Sequence, residues 1–302
     1  MNTARFWRRN GWSAYHAVGA VLMTALGVAL VWPAWADMLR IALRDEEHSH
    51  IFLVPIVSAW LIWVRRERFR LCEPTGQMIG PIIIAIGWGM SAVGFYNAVQ
   101  VMYHAGAPVV LVGCLVSALG WDVCRRFLPA FVVLVFLVPM PPDIRLGISL
   151  PMQSVLSQMV GSFFDVVGVP IVVQGNAITI NGEAIRVAEE CNGLRMVFAL
   201  MLVSYAFAFG TPMHGFVRAL IVAASPVSAL VFNFIRMIPT VWLYGYSSET
   251  VFGIDGRTVA DRFHDVAGWV MLVIAFLTLM SIIRALRWAL VPVQPYTLAA
   301  AE

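Results

Sequence analysis

Three residues of different chemistry mark three consecutive apolar segments near the end of the chain. Cys191 precedes the first segment, Arg236 lies within the second, and His264 precedes the third. A thiolate is a good nucleophile, and a nearby His or Arg promotes its formation. A His can exchange protons with the thiol and with a leaving amine, and an Arg can stabilise the oxyanion of a tetrahedral intermediate. Together they could carry out nucleophilic acyl transfer.

The residues around Cys191 favour a functional thiol over a structural one. The sequence Val187-Ala-Glu-Glu-Cys191-Asn-Gly-Leu-Arg195 is polar before the cysteine and turns apolar after the arginine. This places the thiol at the mouth of a membrane helix, whereas a structural cysteine more often lies buried in mid-span. Arg236 could be a structural ion and His264 ordinary interfacial polarity, although an ionisable residue within a span is by default a functional candidate.

The composition identifies the class of protein that must position these residues. Of 302 residues, 60% are apolar and 12% are charged, and the mean hydropathy is +0.82. A soluble globular protein is nearer half apolar and a quarter charged. We therefore predict an all-α polytopic integral membrane protein with a single membrane domain over residues 1–302. The first apolar segment has span length and lacks a cleavage site, so no cleavable signal peptide is expected.

Charge-poor runs predict a helical bundle of about eight transmembrane helices. They cover approximately residues 14–36, 49–64, 78–99, 101–121, 127–140, 192–210, 217–244 and 266–283. All twenty basic residues are Arg; twelve fall on the side of the N-terminus and six on the other, with Arg195 and Arg236 inside spans. The positive-inside rule then puts both termini in the cytoplasm and gathers Cys191, Arg236 and His264 at the outer face.

Residues 141–190 are predicted to form the larger extracytoplasmic loop. It begins with an amphipathic stretch from Ile144 to Val169, which should lie on the outer leaflet. A β-hairpin should follow in residues 170–187, with Gly175-Asn176 and Asn181-Gly182 as turn pairs. Residues 191–285 then supply spans six to eight, which carry the candidate catalytic residues.

Other sites have weaker support in the sequence. Glu46, Glu47, His48 and His50 could bind a metal ion with His104, but no His-Glu-x-x-His pattern occurs and acid-rich loop residues are usually solvated. We therefore predict no metal and no cofactor. A disulfide-exchange enzyme needs two thiols on the oxidising side, where Cys191 has no predicted partner. Nucleotide-binding patterns are absent, and no nucleic-acid partner is expected.

Three blocks of the sequence resemble the signature blocks of the exosortase/archaeosortase family. They are Val187–Arg195, Asn233-Phe-Ile-Arg236 and Arg262-Phe-His264, and the likeness extends over roughly residues 45–285. Family members are multi-spanning membrane cysteine proteases or transpeptidases. The chain departs from the usual family pattern at Asn192, where Ser is usual, and in His48-Ser-His-Ile51, where Tyr-Ser-His-Gly is usual.

The resemblance implies that Cys191 is the nucleophile, His264 the acid/base and Arg236 the stabilising cation. Arg195, Asn192, Asn233 and His50 are candidate substrate-binding residues. Family substrates are secreted proteins that end in a motif such as Pro-Glu-Pro, a membrane helix and a basic tail. The implied reaction cleaves near the motif at the outer face of the bacterial inner membrane and passes the chain to water, an amine or a glycan.

This substrate suits the predicted topology. Its cleavage motif would lie just outside its own membrane helix, at the depth where the three residues should converge, while its basic tail stays in the cytoplasm. Membrane lipids would surround both helices. The main alternative is a non-enzymatic transporter or assembly factor for exopolysaccharide export, in which Arg236 would bind an anionic substrate.

Overall fold

The computed structural model describes residues 14–186, 193–245, 250–251 and 254–289. Most of these residues are helical. The α-helices are α1 Ala14–Leu30, α2 Trp32–Arg44, α3 Leu53–Val64, α4 Ile79–Tyr96, α5 Gln100–Leu119, α6 Trp121–Arg126, α7 Leu128–Val132, α8 Pro142–Val167, α9 Leu194–Gly210, α10 Gly215–Gly245 and α11 Gly256–Ala289. Shorter 3-10 helices cover Glu46–Phe52, Arg66–Leu71 and Val133–Leu137.

The described residues form an all-α polytopic membrane fold, as predicted, but the predicted count of about eight spans is not reproduced. Within the described ranges, five segments are long and apolar enough to cross a membrane, or up to seven if each sharply bent pair of helices counts as one span. Within the predicted first span, the chain turns by 79° between α1 and α2. The predicted sixth span corresponds to α9, which has only 17 residues.

Prolines explain why the predicted fifth span, residues 127–140, does not continue as one helix. Proline disfavours the helical conformation of the residue before it. Val138 precedes Pro139 and is extended (φ −76°, ψ 116°), and Pro141 precedes Pro142 with φ −59° and ψ 145°. The axis consequently turns by 86° between the segment Leu128–Leu137 and α8.

The stretch predicted to be amphipathic is α8, and the residues after it form a small antiparallel sheet. The strands are β1 Ile171–Gln174, β2 Ala177–Ile180 and β3 Glu183–Arg186, in the order β1-β2-β3. The predicted turn pairs connect them, but the expected hairpin is extended by a third strand. Helix α8 buries Leu156, Val160 and Phe164 against Ile178 and Ile180 of β2 and against Met237 and Val241 of α10.

Helix α9 is the central element that positions the candidate site. Each of its residues is buried or half-buried, because α3, α10 and α11 surround it. On one side Leu202 and Tyr205 pack with Val54, Val57 and Leu61 of α3. On the other side Met196 and Leu200 pack against the small residues Ala229 of α10 and Ala275 of α11, which allow the helices to approach closely.

Candidate active site

A cavity of about 300 Å³ lies beside the first turn of α9. Its walls come from the 3-10 helix Glu46–Phe52 together with the start of α3, and from α9, α10 and α11. The polar side chains that line it are Ser49, His50, Arg195, Arg236 and His264. Four of the predicted site residues, from four different parts of the chain, therefore meet at one cavity.

The other side chains that line the cavity are apolar. Phe52 and Leu53 contribute from one wall, Met196 and Ala199 from α9, and Trp269 and Leu272 from α11. Phe52 and Trp269 are 41% and 62% exposed, so part of the cavity lining lies at the outer surface of the helix bundle. A cavity of mixed polarity can hold a peptide whose polar part borders an apolar part.

The predicted nucleophile Cys191 and the neighbouring Asn192 lie outside the described residues. Strand β3 ends at Arg186 before them, and the described chain resumes at Gly193, which lines the cavity. Gly193 caps the N-terminus of α9 with φ +83° and ψ 2°, a left-handed conformation that favours glycine.

Asn233 of α10 packs directly against Gly193. The Asn233 side chain is completely buried, and a Cβ atom added to Gly193 would lie 2.7 Å from its Nδ2 atom. Only a residue without a side chain allows this approach at this backbone conformation. Asn233 therefore restricts the position of Gly193. It does not itself line the cavity.

Arg236 lies three residues after Asn233, on the same face of α10. Its side chain is only 4% exposed although α10 is a candidate membrane span. The guanidinium lies against the backbone of α11: a Cβ atom added to Gly268 would be 2.9 Å from the Arg236 Nη1 atom. Because burial of a cation is costly, a guanidinium facing a cavity indicates a binding or catalytic role.

His264 is half-buried near the start of α11 and lines the cavity. Gly268 follows one turn later on the same face of the helix. This face therefore carries the imidazole of His264 and, one turn on, a glycine whose missing side chain leaves room for the Arg236 guanidinium. The Tyr244 hydroxyl at the end of α10 donates a hydrogen bond to Asp261, which ties the two helices together near His264.

Arg195 connects α9 to α11 at the same cavity. Its Cζ atom lies 4.9 Å from the centre of the Trp269 ring, a cation–π contact. Trp269 and Gly268 are not among the site residues predicted from the sequence. The available signal was their spacing from His264: the fourth and fifth residues after it lie close to the same helix face.

His50 is held on several sides of its ring. Its Nδ1 atom donates to the Glu47 carbonyl oxygen at 3.0 Å. The ring stacks on Phe198 of α9 with a centroid separation of 4.6 Å. Arg145 of α8 contacts Glu47 at 3.1 Å. These contacts fix the wall that His50 contributes.

The residues considered for a metal site are engaged with other groups. The His104 Nε2 atom lies 2.9 Å from Asp37, and His48 Nδ1 lies 3.0 Å from Asp45. Among the residues that the structure describes, no group of three or more His, Cys, Asp or Glu side chains could hold a metal ion. The three cysteines within the described ranges, Cys72, Cys114 and Cys124, are buried and form no disulfide with one another.

Comparison with known proteins identifies the family. No curated protein and no solved structure gives a significant match to this chain. The family of transmembrane exosortases, however, matches residues 35–281, which include every segment that lines the cavity. The chain belongs to the transmembrane exosortase family.

Proposed function

We propose that this protein is a membrane cysteine protease or transpeptidase that cleaves C-terminal sorting signals of secreted proteins. The observation that carries the proposal is the meeting of Arg236 and His264 at one cavity with Gly193, two residues after Cys191. Two peptide links span at most about 7 Å, which supports the proposal that the Cys191 thiol serves this cavity.

In the proposed reaction, His264 takes the proton of the Cys191 thiol, and the thiolate attacks the substrate carbonyl carbon. Arg236 stabilises the oxyanion that develops on the carbonyl oxygen. His264 then returns the proton to the leaving amine, the peptide C–N bond breaks, and a thioester with Cys191 remains. Attack on the thioester by water completes proteolysis, whereas attack by an acceptor amine completes transpeptidation.

The proposed substrates are secreted proteins with a short motif, a membrane helix and a basic tail. Their motif would enter the cavity, where Arg195, Asn192 and His50 would bind it, and Asn233 would act only through its contact with Gly193. By the positive-inside rule, the termini face the cytoplasm and the cavity faces the periplasm of a bacterial inner membrane, with lipids around the bundle. The acceptor would be water, an amine or a glycan.

Mass spectrometry of a co-expressed substrate tests this proposal. A secreted protein with a Pro-Glu-Pro type signal should be shortened at its motif when the wild-type protein is present and remain intact with Cys191→Ala. The mass of the new C-terminus distinguishes hydrolysis from transfer. If polysaccharide export is lost with Arg236→Gln but unaffected by Cys191→Ala, the exporter function is favoured and the protease is rejected.

Gly268→Ala should reduce cleavage by about tenfold or more while the fold is kept. The new methyl group would displace the Arg236 guanidinium, and a displacement of about 1 Å can cost 10²-fold in rate. Alanine is favoured over glycine in a helix by about 1 kcal/mol, so thermal stability should not fall. Cleavage rate and thermal unfolding are measured on the same preparation.

Gly147→Ala is the matched control for this variant. Gly147 lies within α8, and an added Cβ atom would meet nothing within 4 Å. Its cleavage rate should stay within about twofold of wild type. A Gly268→Ala protein that cleaves as fast as Gly147→Ala would show that the position of the guanidinium does not matter.

An alkylating reagent that cannot cross membranes should label Cys191 alone. Burial, assisted by the charge of Asp122, raises the pKa of the Cys72 thiol to about 11, and burial also raises the pKa of Cys124. At pH 8 only about one in a thousand Cys72 thiols is therefore ionised, and the thiolate is the reactive form. Labelling that persists in Cys191→Ser would show that another thiol reacts. Labelling of Cys191 at a rate no higher than that of an ordinary exposed cysteine would also contradict an activated thiol.

A further inference from the structure

Three guanidinium groups gather at the end of α9 that lies away from the cavity. Arg65, directly after α3, donates to the Phe209 carbonyl oxygen from Nη2 at 2.6 Å and from Nε at 3.2 Å. Arg218, in the first turn of α10, places its Cζ atom 5.6 Å from the centre of the Phe209 ring. Burial lowers the pKa of Arg65, and the charges of Arg68 and Arg218 lower it further, which reflects their proximity.

No carboxylate within the described ranges neutralises this cluster of Arg65, Arg68 and Arg218. The nearby acids form other pairs: Glu67 with Arg70 at 3.2 Å and Asp122 with Arg126 at 2.9 Å. Arg68 instead donates to the Arg126 carbonyl oxygen. The Arg218 Nε atom is buried and has no hydrogen-bond partner within the described part of the chain.

The start of α10 adds further positive potential to the cluster. Backbone N–H groups at a helix N-terminus carry partial positive charge and favour a nearby anion over a cation. The first turn of α10 has no acidic residue and instead contains Arg218. Three like charges beside a helix N-terminus repel one another, and a bound anion would remove that repulsion.

The cluster lies at a membrane boundary. Arg65 follows immediately after the candidate span Glu47–Val64. Phe209 lies 10 residues after Ala199 and 16 after Gly193, which both line the cavity, so it is separated from these residues by about 15 to 24 Å along the axis of α9. This places the guanidinium groups at the level of lipid headgroups, on the membrane face opposite the cavity.

We propose that Arg65, Arg68 and Arg218 form a binding site for a phosphate group, supplied by the headgroup of an anionic lipid. Guanidinium groups bind phosphate oxygens through paired, charge-assisted hydrogen bonds. Arg65 uses Nε and Nη2 to hold the Phe209 carbonyl oxygen of α9, which leaves Nη1 for the phosphate, and Arg218, which lies over the Phe209 ring, adds a second guanidinium group. This site is independent of the proposed peptide cleavage.

Native mass spectrometry of the full-length protein with added phosphatidylglycerol tests the site. Wild type should bind phosphatidylglycerol in preference to phosphatidylcholine, and the double variant Arg68→Gln/Arg218→Gln should bind it about tenfold or more weakly. Arg125→Gln is the matched control, since it removes one exposed positive charge from the neighbouring helix α6 without touching the cluster. It should bind like wild type.

Inorganic phosphate and glycerol phosphate distinguish the two sources of the anion. Thermal stabilisation by phosphatidylglycerol but not by millimolar inorganic phosphate, lost in the double variant, supports a lipid headgroup. Equal stabilisation by the soluble anions, also lost in the double variant, supports the phosphate site but overturns its lipid source. Equal phosphatidylglycerol binding by wild type, the double variant and Arg125→Gln would overturn the site. Arg218→Lys, which keeps the charge, should retain part of the affinity.

Discussion

Cys191→Ser should lower the rate of substrate cleavage by roughly 10³-fold or more. A serine hydroxyl has nearly the volume of the thiol but is not ionised near neutral pH, so it is a far weaker nucleophile beside the same His264. The variant protein should still insert into the membrane and bind substrate. Cleavage is measured in a single turnover with purified protein and substrate, and binding is measured separately on the same samples.

Cys114→Ala provides the matched control, because it removes a buried thiol from α5, a helix that does not line the cavity. Its cleavage rate should remain within about threefold of wild type, since loss of one buried sulfur chiefly affects stability. Cleavage by Cys191→Ser at about a tenth of the wild-type rate or more would exclude Cys191 as the nucleophile. The proposed mechanism would then fail.

Arg236→Lys should reduce cleavage by roughly 10²-fold to 10³-fold, the effect of removing one donor to a developing oxyanion. Both side chains are cations, so a lower cleavage rate would result from the changed geometry of the donor and not from a loss of charge. The planar guanidinium reaches the backbone of Gly268, whereas an ammonium is a point charge on a flexible stem. The rate constant for cleavage should fall more than the affinity for substrate.

Arg125→Lys makes the same chemical change at an exposed position in α6 and should have no measurable effect. If Arg236→Lys cleaves at a near-normal rate, Arg236 supplies only charge or structure and does not stabilise the oxyanion. If substrate affinity falls while the rate constant stays constant, Arg236 binds the substrate in its ground state.

Composition and charge were sufficient to predict the fold class. An apolar chain with few charges can satisfy its backbone in a membrane only as helices or as a closed barrel, and span-length apolar runs favour helices. The number of spans was harder to predict, because hydropathy does not detect bends between helices. The run Val138-Pro-Met-Pro-Pro142 is apolar, yet its prolines end one helix and start another nearly perpendicular to it.

The sequence also indicated which side chains should meet at the cavity. Arg236 stood out because a charge within an apolar span is costly, and the order of spans placed it near His264. The roles of Gly268 and Trp269 could not be predicted in this way. Both depend on the contact between α11 and its neighbours: Gly268 makes room for a guanidinium from α10, and Trp269 lies under one from α9. Their spacing from His264 places both near its helix face, but it does not show which side chains of α9 and α10 they contact.

The shortness of α9 has a consequence for the proposed choice of substrate, if this helix crosses the membrane. At about 25 Å, the helix is shorter than the roughly 30 Å hydrocarbon layer, so at least one of its ends is recessed below the headgroups. Water can reach a recessed polar cavity only through a local dip in the membrane surface, where the bilayer is thinned. A freely soluble polypeptide would rarely descend into such a dip, whereas a chain anchored in the same bilayer arrives there by lateral diffusion. Under the proposed function, a recessed cavity would thus favour membrane-anchored substrates over soluble ones before any side chain contacts their sequence.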